Sequence, residues 1–308
     1  MRAVTLWLVL SLAGIAHAQF TVSGFGAISG FGINGGVVGS GGGGGGYTEI
    51  SGIDDITTQG SPGWSACVGS CAGGNNPTSN VQSFGVSTQS EDGASMSMAM
   101  VAGSGGANWA EVYKAVHNPD AYSEFKIDLY FYCDTNCGAY VKQYEFDDFQ
   151  FCAGCTDGGV FPNGIEYMFG FQCDLTRSGG VAEVWSQGGH EKGGAGWITA
   201  TYSGGNIPCT AAGFLSPNTW HHLQKTLHRV IGDYSSCTYS TYSFPSMYYD
   251  NITLDGTSYT PTNTNLCAGD LPSGWSSVIG TQMQIDADAT TSGNTVTEYF
   301  DLVDYYYQ

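Results

Sequence analysis

The residues in this sequence best suited to chemistry stand in Val141–Phe151, VKQYEFDDFQF, and in its neighbour Gly164–Asp174, GIEYMFGFQCD. In a strand, successive side chains point to opposite faces. Gln143, Glu145 and Asp147 then share one face with Phe149 and Phe151, while Tyr144, Phe146, Asp148 and Gln150 take the other. A row of Gln, Glu and Asp is costly to bury without partners, but it suits the floor of an open groove that holds a polar ligand. Carboxyl groups there can transfer protons or act as a nucleophile, and amides can hold hydroxyl groups. Aromatic rings can stack on the apolar face of a sugar.

Two further stretches alternate in the same way. Gln282, Gln284, Asp286 and Asp288 share a face in Thr281–Ala289, and Trp220, His222, Gln224, Thr226 and His228 share one in Trp220–His228. The plain alternative for each is the wetted side of an antiparallel sheet. Solvation alone, however, is served as well by Lys and Glu as by amides and rings. The expected floor is Gln143, Glu145, Asp147, Trp220, His222, Gln284 and Asp286, on which Trp220 and His222 meet the acidic row.

Strands must position these groups, because helical periodicity is nearly absent. Short runs rich in Tyr, Phe, Val, Ile and Thr are punctuated by Gly, Asn, Asp and Pro. They predict about a dozen strands, among them Ser95–Val101, Glu124–Tyr132, Val141–Phe151, Ile165–Asp174, Val181–Ser186, Ala195–Tyr202, Thr219–Val230, Met247–Leu254, Ser276–Ala287 and Thr295–Tyr306. Asp255-Gly256 reads as a hairpin turn. Many strands without a fixed repeat favour a two-sheet sandwich or barrel over a propeller.

The ends and the composition set the context. Residues 1–18 read as a signal peptide: a basic Arg2, an apolar run over Val4–Ile15, then Ala16-His17-Ala18. That apolar run is too short for a spanning helix, so a secreted, extracellular or cell-surface protein is expected, with no membrane partner. Residues 19–46 are Gly-rich and read as a flexible leader, leaving 47–308 as one β-sandwich domain. The chain carries 8 basic and 27 acidic residues, a net charge of −19. Such a surface disfavours nucleic acid and polyanions, and a neutral polysaccharide or oligosaccharide is the better partner.

Ten cysteines in an exported chain read as disulfides. Three close pairs stand out, Cys67/Cys71, Cys133/Cys137 and Cys152/Cys155, leaving Cys173, Cys209, Cys237 and Cys267. Spacing does not fix the connectivity of the last four; Cys209–Cys237 is one guess.

The segments Asn218–Leu223 (NTWHHL), Tyr249–Gly256 (YDNITLDG) and Glu298–Tyr306 (EYFDLVDYY) together resemble the concanavalin A-like lectin and glucanase superfamily. The resemblance implies an all-β, two-sheet antiparallel jelly-roll β-sandwich whose concave sheet binds polysaccharide. Within that superfamily, Glu145 to Gln150 is similar to the E-x-D-x-x-E signature of family 16 endoglucanases. It implies Glu145 as nucleophile, Asp147 as its helper and position 150 as the acid/base. Position 150 is Gln, and an amide cannot give and take a proton. A retaining glycoside hydrolase needs a second carboxyl; Glu166 or Asp174 on the neighbouring strand are the expected substitutes, with Gln150 left to bind substrate. Without one, the site binds and does not cleave.

Other chemistries are open. A polysaccharide lyase would recruit Gln143, Gln284, His222 and tyrosines, but downstream of the signal peptide only Arg177 and Arg229 could neutralise a uronate. His222 and His228 lie three same-face steps apart, roughly 20 Å, and cannot share a metal ion. Trp185, Trp197, Trp220 and Trp275 could each serve as a sugar platform or as core. No cofactor is expected beyond a possible structural calcium, for which Asp54 with Asp55, and Asp301 or Asp304, offer hard oxygen ligands. A cell-surface structural protein is the remaining class.

Overall fold

The computed structural model describes residues 46–49, 64–66, 80–101, 109–116, 122–156, 161–175, 180–186, 196–209, 215–239, 242–262, 266–271, 273–274, 276–287 and 294–308. The signal peptide, most of the leader, Asp54, Asp55, Cys67, Cys71, Arg177, Trp275 and Asp288 lie outside the described residues.

Thirteen strands carry the architecture: β1 (Asn80–Val86), β2 (Ser95–Val101), β3 (Trp109–Val116), β4 (Glu124–Cys133), β5 (Val141–Cys152), β6 (Ile165–Asp174), β7 (Val181–Ser186), β8 (Gly196–Thr199), β9 (Trp220–Arg229), β10 (Ser246–Leu254), β11 (Thr257–Tyr259), β12 (Val278–Ala287) and β13 (Thr295–Tyr307). They form two antiparallel sheets. The first runs β11–β10–β9–β4–β13–β2–β1 and the second β8–β7–β6–β5–β12–β3, extended by Ser65–Ala66. The chain crosses between the sheets repeatedly, as a jelly roll does, and the expected all-β sandwich is what forms. Among the described residues the one helix is a single turn, Cys137–Tyr140.

Alternation explains why these segments pair as they do. β9 presents His221, Leu223, Lys225, Leu227 and Arg229 inward, all buried, while the residues between them are half-buried. β4 buries Phe125, Ile127, Leu129 and Phe131, and the facing sheet supplies Tyr144, Phe146, Phe169, Phe171, Ile279, Met283 and Ile285. The Asp255-Gly256 turn joins β10 to β11 with both residues at positive φ, the conformation that a two-residue hairpin of matching twist requires.

The core also holds charge. Lys225 reaches across from the first sheet to form an ion pair with Asp148 of β5, both fully buried, and donates to the Phe146 carbonyl at 2.7 Å. Arg229 donates to the Tyr122 carbonyl and lies over the rings of Phe125 and Tyr167.

Four disulfides are described: Cys133–Cys137, Cys152–Cys155, Cys173–Cys209 and Cys237–Cys267. The two close pairs are bridged as expected. The guess Cys209–Cys237 is overturned, because Cys209 lies beside the Val181–Pro208 bridge next to β6, whereas Cys267 pairs with β10.

Candidate functional site

β5 is the centre of the second sheet, and its register decides what surrounds each carboxyl. Glu145 faces Gln172 of β6 on one side and Gln284 of β12 on the other. Gln172 in turn faces Glu183 of β7. Two residues further along β5, Asp147 faces Gln282 and Gly170. These side chains all leave the sheet on the face away from the core, since Tyr144, Phe146 and Gln150 point inward.

The result is a polar floor four strands wide. Gln284 Nε2 donates to Glu145 Oε2 at 3.2 Å, Gln282 Nε2 approaches Asp147 Oδ2 at 3.5 Å, and Gln172 Nε2 donates to Glu183 Oε2 at 2.5 Å. The open groove expected from the sequence is not what forms, because these side chains are covered: Glu145 is 6% exposed, Asp147 1%, Gln172 1%, Glu183 2%, Gln282 2% and Gln284 8%. Burial pushes the Asp147 carboxyl up to about 7, opposed by its hydrogen bond with Glu145 and by the Lys225 ammonium beneath the sheet. Asp147 therefore keeps its proton to near neutral pH.

Three acceptor atoms on this floor, Asp147 Oδ1, Gln172 Oε1 and Gln284 Oε1, are buried and take no hydrogen bond from the protein. Leaving such an atom unsatisfied costs about 1–3 kcal/mol. Beside them is an apolar patch of Phe149, Phe151, Met168, Trp185 and Leu271, with Trp197 half-buried against it. The two indoles meet edge to face at 5.1 Å. Gly170 brings this patch to the carboxyls. A Cβ there would lie 2.8 Å from Asp147 Oδ1, 2.8 Å from Trp185 Cβ and 2.9 Å from Trp197 Cη2, so only a glycine lets ring and carboxyl approach.

Of the residues singled out in the sequence, Gln143, Glu145, Asp147 and Gln284 stand together on this face. Asp286 sits opposite Gln143 in the register, and its side chain lies outside the described residues. Asp174 joins them, opposite Gln143 on β6, and Trp185 and Trp197 lie in the apolar patch beside them; Trp220, His222, Gln150 and Glu166 do not meet this row. Trp220 and His222 belong to the outer face of the first sheet, on the far side of the sandwich from Glu145. There Trp220 packs on Tyr132, and His222 stacks on Tyr130 and bonds Asp128. Gln150 points into the core and donates to the Tyr305 hydroxyl.

The pairing of β5 with β6 runs without a register shift from Gln143 to Cys152. Strict alternation therefore sends position 150 to the face opposite Glu145. Glu166 shares the outer face but faces Phe151, six residues from Gln172 and so roughly 20 Å along the strand from Glu145's row. It cannot serve Glu145 as a proton donor. Asp304 accepts from the Tyr306 hydroxyl. Among the described residues no three His, Cys, Asp or Glu side chains are grouped to hold a metal ion.

The residues that sequence reasoning missed are Gln172 and Glu183, while Gln282 was read on the same face as Gln284 but left out of the expected floor. Each alternates correctly within its own strand; what brings them to Glu145 and Asp147 is strand order, which the local pattern does not contain.

The sequence matches no protein-family model and no curated protein. Several solved structures are similar in fold. One is the endo-β-1,4-glucuronan lyase of the fungus Trichoderma reesei, 13% identical at a TM-score of 0.44, covering 74% of this chain and 86% of that one. Another is the endo-1,3-β-glucanase of Streptomyces sioyaensis, 11% identical at 0.41, covering 87% and 99%. A third is the carbohydrate recognition domain of Emp46p in potassium-bound form, 11% identical at 0.39, covering 84% and 98%. The likeness to each is one of fold alone, and the chemistry of this chain has to be read from its own residues.

Proposed function

We propose that this chain is an exported carbohydrate-active protein that holds a neutral polysaccharide or oligosaccharide on the outer face of its second sheet. The observation that supports this reading is the row of buried acceptors without protein donors, Asp147 Oδ1, Gln172 Oε1 and Gln284 Oε1, beside the half-buried Trp197. Acceptors of this kind call for a ligand rich in O–H donors. An indole edge next to them calls for an apolar ring face. A pyranose offers both.

A polyuronate fits less well. Among the described residues this face carries no Lys, Arg or His, and Arg229 is committed to the core. The lyase reading also loses His222, which stands on the other side of the molecule.

Affinity electrophoresis through gels containing soluble mixed-linkage β-glucan, xylan or galactan tests the proposal. Retardation by at least one of these glycans is expected, and Trp197→Ala should weaken it by about tenfold, the equivalent of about 1.4 kcal/mol. No retardation by any neutral glycan would refute it.

A further inference from the structure

The second carboxyl that the sequence lacked at position 150 is supplied from another strand. We propose that the face hydrolyses glycosidic bonds with inversion, the Glu145–Asp147 pair acting as general acid and Glu183 as general base. This rests on the carbohydrate reading above and goes beyond it by naming a reaction and a stereochemical outcome.

The register carries the argument. Glu145, Gln172 and Glu183 stand side by side on three consecutive strands, so the Cα atoms of Glu145 and Glu183 are two strand spacings apart, about 10 Å. Their side chains leave the same face in parallel. This Cα separation lies just above the roughly 6.5–9.5 Å between the carboxyls of inverting glycosidases, which leaves room for a water molecule, and a slight lean of the two side chains toward each other meets that range; it is about twice the roughly 5–5.5 Å of retaining ones. The residue between them is Gln172, whose Oε1 accepts nothing from the protein. The attacking water lies over it, giving one hydrogen to this oxygen and presenting the other to Glu183.

The two carboxyl sites also differ in kind. Glu183 accepts the Gln172 N–H through Oε2, the posture of a carboxylate that can take a proton. Glu145 and Asp147 stand two residues apart on one face of β5, and burial keeps the Asp147 proton in place to near neutral pH, so this carboxyl can give a proton. The single buried Asp147 Oδ1, turned toward Trp197, places that pair beside the ring platform where a leaving-group sugar would stack.

The step balances. Water oxygen bonds to the anomeric carbon from the Glu183 side as the bond from that carbon to the glycosidic oxygen breaks. One water proton passes to Glu183, and the proton of the Glu145–Asp147 pair passes to the departing oxygen. Exchange with solvent then restores both sites.

The test is proton NMR of freshly released reducing ends from soluble mixed-linkage β-glucan, xylan and galactan, with gel retardation on the same glycans in parallel. The wild type should first release the anomer of inverted configuration. Glu183→Gln should lower the turnover by about 10²–10⁴-fold with retardation kept, and Asp147→Asn should lower it by as much. First release of the retained anomer, or turnover by Glu183→Gln equal to wild type, overturns the inference. A protein that is retarded but releases no reducing ends also overturns it and leaves the binding proposal standing. A protein that is not retarded by any glycan overturns both. The stereochemical readout uses the wild type alone, so it decides the matter even where a variant fails to fold.

Discussion

Replacing Lys225 by Met tests how the two sheets are held at the site. The ammonium lies fully buried, paired with Asp148 and bonded to the Phe146 carbonyl. Both contacts fall on the segment whose opposite face carries Glu145 and Asp147. Removing one partner of a buried pair leaves an uncompensated charge and costs about 3–5 kcal/mol. Burial already pushes Asp148 above the ordinary carboxylate range despite Lys225, so the orphaned carboxyl would take up a proton and recover part of that cost.

For a domain of this size the loss corresponds to a fall in Tm of about 10 °C. Replacing both partners by apolar residues of similar volume, Lys225→Met with Asp148→Leu, should return stability to within about 1–2 kcal/mol of wild type or above it. Denaturant melts followed by tryptophan fluorescence, with disulfides intact, measure all three. A Lys225→Met protein within 1 kcal/mol of wild type, or a double variant no more stable than the single one, would refute this account of the strap.

The same structure implies a pH profile. Asp147 has its carboxyl raised to about 7 from 3.8, so the native state binds more protons than the unfolded chain between these values. Its contribution is full below pH 4 and is lost as pH rises through 7, up to roughly 4 kcal/mol. Denaturant midpoints at pH 4.5, 6 and 8 should fall in that order, and Asp147→Asn should flatten the trend; a rising trend would contradict the assignment. Gly170→Ala should displace Trp197 from Asp147 and weaken gel retardation about tenfold, while unchanged retardation would show that the close approach is not needed. Glu298 is buried with neither carboxyl oxygen hydrogen-bonded, and burial alone pushes its pKa well up. Glu298→Met should therefore raise stability by about 1–3 kcal/mol in the same melts, and a destabilised variant would mean that the carboxyl has an unrecognised role.

Much of the fold could be read from alternation, because buried and half-buried positions trade places strictly in Trp220–Arg229 and apolar and polar ones do so from Gln282 to Ala287. The same pattern placed Glu145 and Asp147 together with Phe149. It also placed Gln150 on the other face, and the motif resemblance that proposed position 150 for the site conflicted with that parity; only a bulge could have reconciled them, and β5 has none there. Alternation says which residues share a side of a strand but not which side of which sheet. Trp220 and His222 carry the same polar and aromatic signature as the floor, yet β9 lies in the opposite sheet. Glu183 was invisible for the complementary reason: its partnership with Glu145 exists only through Gln172, once three strands have found their order.

The disulfide Cys173–Cys209 closes a loop with a sequence separation of 36, and that loop contains Glu183, Trp185 and Trp197. Cross-linking a loop of this length restricts the unfolded chain by about 4 kcal/mol. One flank of the polar floor is thus a covalently bounded cassette, while the flank built on β12 depends on strand pairing. Loss of this single bond would loosen the ring platform and Glu183 together and leave Glu145 and Asp147 in place, so ligand capture would track the redox state of the surroundings before the fold itself gave way.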